Sequence, residues 1–134
     1  MMRVYLAGPM RGIPEFNFPA FYSAAKFLRE HMGWEVFSPA EKDNEVHGED
    51  FIKQFKTGED ASISNAESKG FSLRRALGDD TAWICANADG VAMLPGWEKS
   101  RGAQAEVALA KALGLSLYPL ENEGGIWMVT EKRY

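Results

Sequence analysis

The sequence predicts an α/β fold in which helices pack on a mostly parallel sheet of four to five strands. Short apolar runs alternate with segments of helical periodicity along most of the chain. The runs end at Gly-Pro, Ser-Pro or Pro-Gly pairs, which interrupt regular structure. A chain of 134 residues is long enough for one domain with one core. Strands separated by helices favour parallel pairing, because each helix returns the chain across the sheet.

The first third of the chain holds two predicted strands and one predicted helix. Residues 4–7 form an apolar run, followed by a tight loop at 8–12. Residues 17–32 have apolar side chains on one arc at 100° per residue, and Gly33 is a typical end for such a helix. Residues 34–37 alternate in polarity, which predicts a second strand that stops at a Ser-Pro pair.

Residues 41–71 show no long apolar periodicity, and 12 of these 31 residues are charged. Only Phe51, Ile52 and Phe55 have the spacing of an amphipathic turn. A connection of this length is too long for an ordinary loop. We therefore expect a variable loop, a lid or an oligomer contact here, within a single domain of residues 1–134.

The second half of the chain alternates helix and strand. The predicted boundaries are 72–88 for a helix, 89–94 for a strand, 103–113 for a helix and 115–120 for a strand. Ser72 is a suitable N-cap for the first of these helices. In the tail, Gly124-Gly125 predicts a turn, and residues 126–130 could add an edge strand. The order of elements indicates a Rossmann-like (flavodoxin-like) domain.

Ligands in such sheets bind beyond the carboxyl ends of the strands. The loops 8–12 and 95–102 follow the first and third predicted strands, so both lie at that edge. These two loops are the first places to look for a site.

The composition excludes several classes of function. Fifteen basic against nineteen acidic residues give a net charge of −4, which argues against bulk nucleic-acid binding. The longest stretch without a charged residue, 16–25, is ten residues long, half of what a membrane span needs. No signal-peptide pattern follows Met1, so a cytoplasmic protein without a membrane partner is expected.

Metal and thiol chemistry are not expected. His31 and His47 are isolated, with no neighbouring ligands at metal-binding spacing. Cys85 is the single cysteine, so no internal disulfide forms, and its predicted position away from the apolar stripe indicates an incidental thiol. We expect neither a metal nor a cofactor.

Glu106 falls on the apolar face of its predicted helix. With Ala103 set at 0°, Glu106 lies at about 300°, between Leu113 at about 280° and Ala110 at about 340°. Gln104, at about 100°, marks the polar face. A carboxylate on an apolar arc needs a partner or a function.

Asp80 repeats this pattern in the preceding helix. With Leu73 at 0°, Asp80 lies at about 340°, inside the apolar stripe that contains Ala76, Leu77 and Ile84. Asp79 lies at about 240° and is expected to be solvated. A buried cap or structural hydrogen bond would also account for Asp80. Two inward carboxylates suggest paired-carboxylate chemistry, such as cleavage of a glycosidic bond, but the spacing does not distinguish retention from inversion.

Three segments carry a family resemblance. They are Val4-Tyr5-Leu6-Ala7-Gly8-Pro9, Ala88-Asp89-Gly90-Val91, and Ser100-Arg101-Gly102-Ala103-Gln104-Ala105-Glu106 entering a helix of small residues. Together they resemble the nucleoside 2-deoxyribosyltransferase-like superfamily over residues 3–40 and 72–120. The Leu94-Pro95-Gly96-Trp97 run resembles a branch of it that is common in phages and prophages.

The resemblance implies cleavage of a nucleoside N-glycosidic bond through a covalent glycosyl-enzyme. The nucleophile of the family matches Glu106, and the tyrosine that holds this carboxylate matches Tyr5. The aspartate that serves the base and its proton matches Asp80. Family members commonly form dimers or larger homo-oligomers, so a homo-oligomer is expected.

The resemblance also favours a nucleotide over a free nucleoside. Six residues before the nucleophile, the transferases carry an aspartate, whereas the deoxynucleoside 5′-monophosphate hydrolases carry a phosphate-binding serine, which matches Ser100. The hydrolases also have an Arg-Gly pair after the first strand, matched by Arg11-Gly12. The expected phosphate-binding set is therefore Gly8, Pro9, Met10, Arg11, Gly12, Ser100 and Gly102.

Two further residues have alternative roles. Trp97 could stack on a base or pack in the core. Asp89 could contact a sugar or cap a strand, and we favour the cap. The leading function is therefore hydrolysis of a (2′-deoxy)nucleoside 5′-monophosphate. The alternatives are a base-exchanging deoxyribosyltransferase and a non-catalytic nucleotide-binding or sensing module.

Overall fold

The computed structural model describes residues 1–132, which fold into one sheet flanked by helices. The strands are β1 (Arg3–Ala7), β2 (Glu35–Phe37), β3 (Gly90–Met93), β4 (Ser116–Glu123) and β5 (Ile126–Val129). The α-helices are α1 (Phe18–Met32), α2 (Pro39–His47), α3 (Ile63–Ser68), α4 (Leu73–Asn87) and α5 (Arg101–Ala112).

The sheet has the order β2-β1-β3-β4-β5, and β1 to β4 are mutually parallel. The fifth strand pairs antiparallel with β4 through the turn at Gly124-Gly125, as the tail pattern suggested. The prediction of a single Rossmann-like domain with a mostly parallel sheet is confirmed. No helix among residues 1–132 combines the length and apolar character that a membrane crossing requires.

Alternation along β1 separates two cores, one on each side of the sheet. Val4 and Leu6 belong to the core beneath α1, whereas Tyr5 and Ala7 face the core formed with α4 and α5. Ala7 pairs in register with Met93, so β1 and β3 end at the same edge of the sheet. This edge receives the loops that follow both strands.

The predicted helix boundaries are largely confirmed. Gly33 ends α1 in the left-handed conformation, at φ +67°. The side chain of Ser72 accepts a hydrogen bond from the backbone N–H of Arg75 and so caps α4. The fifth helix begins two residues earlier than predicted, because Ser100 caps it by accepting from the N–H of Ala103 at 3.2 Å.

The expectation of a long loop over residues 41–71 is wrong. This segment contains most of α2, a short 3₁₀ turn at Ile52–Gln54, and α3. These helices are too short for a recognisable amphipathic period, which is why the pattern did not reveal them. The turn suggested by Phe51, Ile52 and Phe55 is confirmed, and Ile52 and Phe55 are buried.

Candidate functional site

Tyr5 and Glu106 form a buried hydrogen bond at the edge where the strands end. The Tyr5 hydroxyl donates to Oε2 of Glu106 at 2.6 Å. Tyr5 is 1% exposed and Glu106 is 6% exposed, so water hardly competes for the contact. Glu106 therefore faces inward from α5, as its helical angle predicts.

Aromatic packing fixes the ring of Tyr5. It stacks on Phe37 at the end of β2, with ring centroids 5.7 Å apart, and Trp83 of α4 lies 6.4 Å away. Phe37 and Trp83 also stack on each other at 4.8 Å. The hydroxyl is thus held by a rigid support from three elements, which limits the orientations open to Glu106.

Asp80 is buried beside this pair, whereas its neighbour Asp79 is exposed. The Nζ atom of Lys42 lies 3.3 Å from Oδ1 of Asp80 and 3.2 Å from Oδ2 of Asp79. Lys42 belongs to α2, so the ion pair ties the segment that follows β2 to α4. The inward position predicted for Asp80 and the outward position predicted for Asp79 are both observed.

A cleft at this edge brings the two carboxyl groups together. Tyr5, Asp80 and Glu106 all line it, and the space inside, open mouth included, is about 820 Å³. One wall comes from the apolar side of α4, through Leu73, Ala76 and Leu77. The loop after β1 and residues 39–71 also contribute to the lining.

A strained turn at the entrance to α1 also shapes the cleft. Glu15, Phe16 and Asn17 have φ values of +54°, +50° and +63°, a region that non-glycine residues rarely adopt. The turn is held by the N–H of Glu15, which donates to the carbonyl of Phe55 at 2.6 Å. It places the side chain of Phe16 in the cleft wall.

Burial raises the pKa of Glu106 to about 8. Desolvation is the largest cause, the hydrogen bond from Tyr5 opposes it, and the charge of Asp80 adds to it. The pKa of Asp80 is also raised by burial, and Lys42 and Tyr5 hold it down. Two neighbouring carboxyl groups whose pKa values are raised by burial are suited to acid–base and nucleophilic work.

A third carboxyl group, that of Asp43, also lines the cleft. Desolvation and the charge of Asp80 raise its pKa to about 7, against the opposing effect of Lys42. Sequence reasoning missed both Lys42 and Asp43 because they lie in the segment taken for a loop. Their high local charge density was visible, but nothing in the pattern indicated which charges face inward.

The residues expected to bind phosphate divide into two groups. Five of them line the cleft, namely Gly8, Met10, Arg11, Ser100 and Gly102. Pro9 and Gly12 instead shape the loop. The carbonyl of Pro9 accepts from Nδ2 of Asn17 at 3.0 Å, and the N–H of Gly12 donates to the carbonyl of Ala61 at 2.8 Å.

Asp89 and Trp97 lie outside the cleft. Asp89 precedes β3 at the opposite edge of the sheet, where its Oδ2 accepts from the N–H of Arg3 at 2.8 Å. This contact fits the capping role and excludes a sugar contact in the same cleft. Trp97 is half-buried and packs against the core that contains Tyr5 and Val107. Of its two expected roles, stacking on a base or packing in the core, the structure shows the packing.

The comparisons with known proteins place the chain in a family without assigning an activity. No curated protein matches the sequence. A family model described as a domain of unknown function, DUF4406, matches residues 2–118. This range contains β1 to β3, the first three residues of β4 and all the cleft-lining residues named above, and the chain accordingly belongs to the DUF4406 family.

Proposed function

We propose that the protein hydrolyses the N-glycosidic bond of a (2′-deoxy)nucleoside 5′-monophosphate through a covalent glycosyl intermediate on Glu106. The observation that carries this proposal is the 2.6 Å hydrogen bond from Tyr5 to Glu106 in a cleft that also contains Asp80. A buried carboxylate oriented by a rigid phenol is a suitable nucleophile. The resemblance to the nucleoside 2-deoxyribosyltransferase-like superfamily at these same three residues supports the assignment.

In the first proposed step, ionised Glu106 attacks C1′ of the sugar. A bond forms between C1′ and a carboxylate oxygen while the bond between C1′ and the base nitrogen breaks. The base leaves with the electron pair of that bond and takes a proton from Asp80. Tyr5 keeps the attacking carboxylate in position, since its hydroxyl is bonded to the other oxygen.

In the second step, water attacks C1′ of the glycosyl-enzyme. Asp80, now ionised, accepts a proton from this water, and the bond between C1′ and Glu106 breaks. The products are the sugar phosphate and free Glu106. Both carboxyl groups return to their starting protonation states, so no further reactant is required.

The phosphate is proposed to bind at the N-terminus of α5. Ser100 Oγ already accepts from the N–H of Ala103, which leaves its own proton available for a phosphate oxygen. Arg11 lines the same cleft and can offer several N–H donors to a dianion. Ser100 lies six positions before Glu106, about 9 Å along the helix, which leaves room for a sugar between them.

A cytoplasmic location and a homo-oligomeric assembly belong to the same proposal. Both are what the resemblance and the sequence suggest for an enzyme that acts on a free nucleotide.

The direct test is a panel of ribo- and deoxynucleoside monophosphates, canonical and modified, assayed by chromatography for released base. The proposal predicts free base and sugar phosphate from at least one monophosphate, and less from the corresponding nucleoside. Adding a second base distinguishes hydrolysis from base exchange, because only a transferase would make a new nucleoside. Tight binding without base release across the panel would instead favour a binding module.

A further inference from the structure

Asp43 offers a carboxyl group to the cleft that the proposed reaction does not use. It lies in α2 (Pro39–His47), and its side chain is half-buried. The ammonium group of neighbouring Lys42 bonds to Asp79 and Asp80 instead. Within residues 1–132, no hydrogen bond or ion pair joins the Asp43 carboxyl group to the protein. A half-buried acceptor of this kind is available to a ligand.

The position of Asp43 in the cleft indicates which part of a nucleotide it would meet. Asp43, Asp80 and Glu106 line the same cleft, and Lys42, the chain neighbour of Asp43, bonds to Asp80 at 3.3 Å, so Asp43 lies on the Asp80 side of the cleft. In the proposed reaction, Glu106 meets the sugar and Asp80 serves the departing base. The phosphate end, at Ser100, lies towards the start of α5. A base that extends past Asp80 therefore approaches Asp43.

The surroundings of Asp43 suit a flat ring. Phe51, Phe71, Ala76 and Leu77 line the same cleft and are apolar. Phe71 and Ala76, like Asp43, also border an adjoining cavity that reaches His47. A nucleobase between such walls would present its polar edge to the carboxyl group of Asp43.

We propose that Asp43 is a specificity-determining residue that selects nucleobases carrying an exocyclic amino group. This inference rests on the proposed function, because it takes the cleft to be a nucleotide site. An ionised carboxylate only accepts hydrogen bonds, so an amino group satisfies it, whereas a keto oxygen would face it with lone pairs. Aspartate accepts from the amino group of cytosine in the same way in protein–DNA complexes.

The test measures binding rather than turnover. Dissociation constants are determined by calorimetry for dCMP against dUMP and for dAMP against dIMP, using the Glu106→Gln variant to prevent cleavage. A pH of about 8.5 keeps Asp43 ionised, since its pKa is about 7. We expect the amino member of at least one pair to bind at least about 10-fold more tightly than the keto member.

A second substitution in the same background assigns the preference to Asp43. Asp43→Ala should weaken binding of the amino nucleotide. The ratio of the dissociation constants of the keto and amino nucleotides should then lie within about 2-fold of unity. Asp79→Asn is the matched control, because it removes a carboxylate charge beside Lys42 without lining the cleft, and it should keep the ratio. If the alanine variant does not fold, Asp43→Asn should still narrow the ratio, because an amide both donates and accepts.

Three results would overturn the inference: no binding of any of the four nucleotides, equal binding within both pairs, or an unchanged ratio after substitution of Asp43. Its failure is separable from failure of the proposed function. Base release without an amino preference refutes only the role of Asp43. An amino preference that depends on Asp43, without base release by the native protein, supports the selectivity and refutes the hydrolase.

Discussion

The hydroxyl of Tyr5, in the first strand, donates a hydrogen bond of 2.6 Å to Glu106, 101 residues later in the chain. The contact joins β1 to α5 across the edge where the parallel strands end. Since the phenol is nearly inaccessible and its ring is packed between aromatic neighbours, the carboxyl group has one well-defined orientation. This orientation is the basis of the proposed nucleophilic role.

Removing this hydroxyl should slow base release. Tyr5→Phe keeps the aromatic packing but leaves the carboxylate unsupported, and a hydrogen bond to a charged group contributes about 1.5–3 kcal/mol. We therefore expect kcat to fall about 10- to 100-fold. Tyr118→Phe is the matched control, because that hydroxyl contacts Met2 Sδ at 3.7 Å and does not line the cleft. Equal activity of the Tyr5 and Tyr118 variants would refute the positioning role.

The pH profile of kcat/KM should report the coupled carboxyl pair. The reaction needs Glu106 ionised and Asp80 protonated, so a bell-shaped profile is expected. On its acid side, kcat/KM should rise with pH up to about pH 8, because burial raises the pKa of Glu106 to about 8. Tyr5→Phe removes a contact that lowers this pKa, so it should move the acid limb to higher pH. A profile that is flat from about pH 5 to 8 would contradict the assignment.

The buried carboxyl group of Glu106 should also make stability depend on pH. Its pKa rises from an ordinary value of 4.5 to about 8 on folding, so the folded state holds the proton more tightly. Below about pH 4.5 the group is protonated in both states and costs nothing, and stability is lost as the pH rises towards 8. The cost above that pH is on the order of a few kcal/mol.

Glu106→Gln removes this cost and keeps an oxygen that accepts from Tyr5. The variant should therefore melt several degrees above the native protein at about pH 9, and close to it at about pH 4.5. Glu98→Gln, at an exposed position, is the control and should show no pH-dependent difference. A Glu106→Gln difference that is the same at both pH values would show that folding does not raise the pKa of Glu106.

A side chain at Gly8 should lower the stability of the protein. A Cβ atom there would lie 2.8 Å from Cβ and Cδ1 of Leu94, which is buried immediately after β3. Gly8→Ala must displace Leu94 or the loop, so it should destabilise the protein by about 1–3 kcal/mol. Gly78→Ala is the control, since nothing lies within 4 Å of that position and alanine favours helices by up to about 1 kcal/mol. Thermal melts of both variants compare the two effects, and equal stability would contradict the close approach.

The alternation of helices and strands was sufficient to predict the sheet and its direction, because long periodic segments such as α1 and α4 dominate the pattern. The inward positions of Asp80 and Glu106 were also predictable, since a helix of known register assigns each residue to a face. Both predictions depend on local periodicity alone.

The segment that contains α2 and α3 could not be predicted in this way. Its helices are nine and six residues long, and their apolar contacts are made with distant parts of the chain. The pairing of Lys42 with Asp80 depends on how α2 packs against α4, which no local pattern encodes. The sequence left two roles open for Asp89, a strand cap and a sugar contact. The cap depends on the register of β3 with β1, which brings Asp89 to the N–H of Arg3.

The most direct test of the nucleophilic role is base release by Glu106→Gln compared with the native protein and with Glu98→Gln. All three are incubated with the best monophosphate from the panel, and the released base is quantified by chromatography. We expect Glu98→Gln to match the native rate of base release and Glu106→Gln to release base at least about 1,000-fold more slowly, because an amide cannot form the glycosyl ester. Near-native base release by Glu106→Gln would contradict the nucleophilic role.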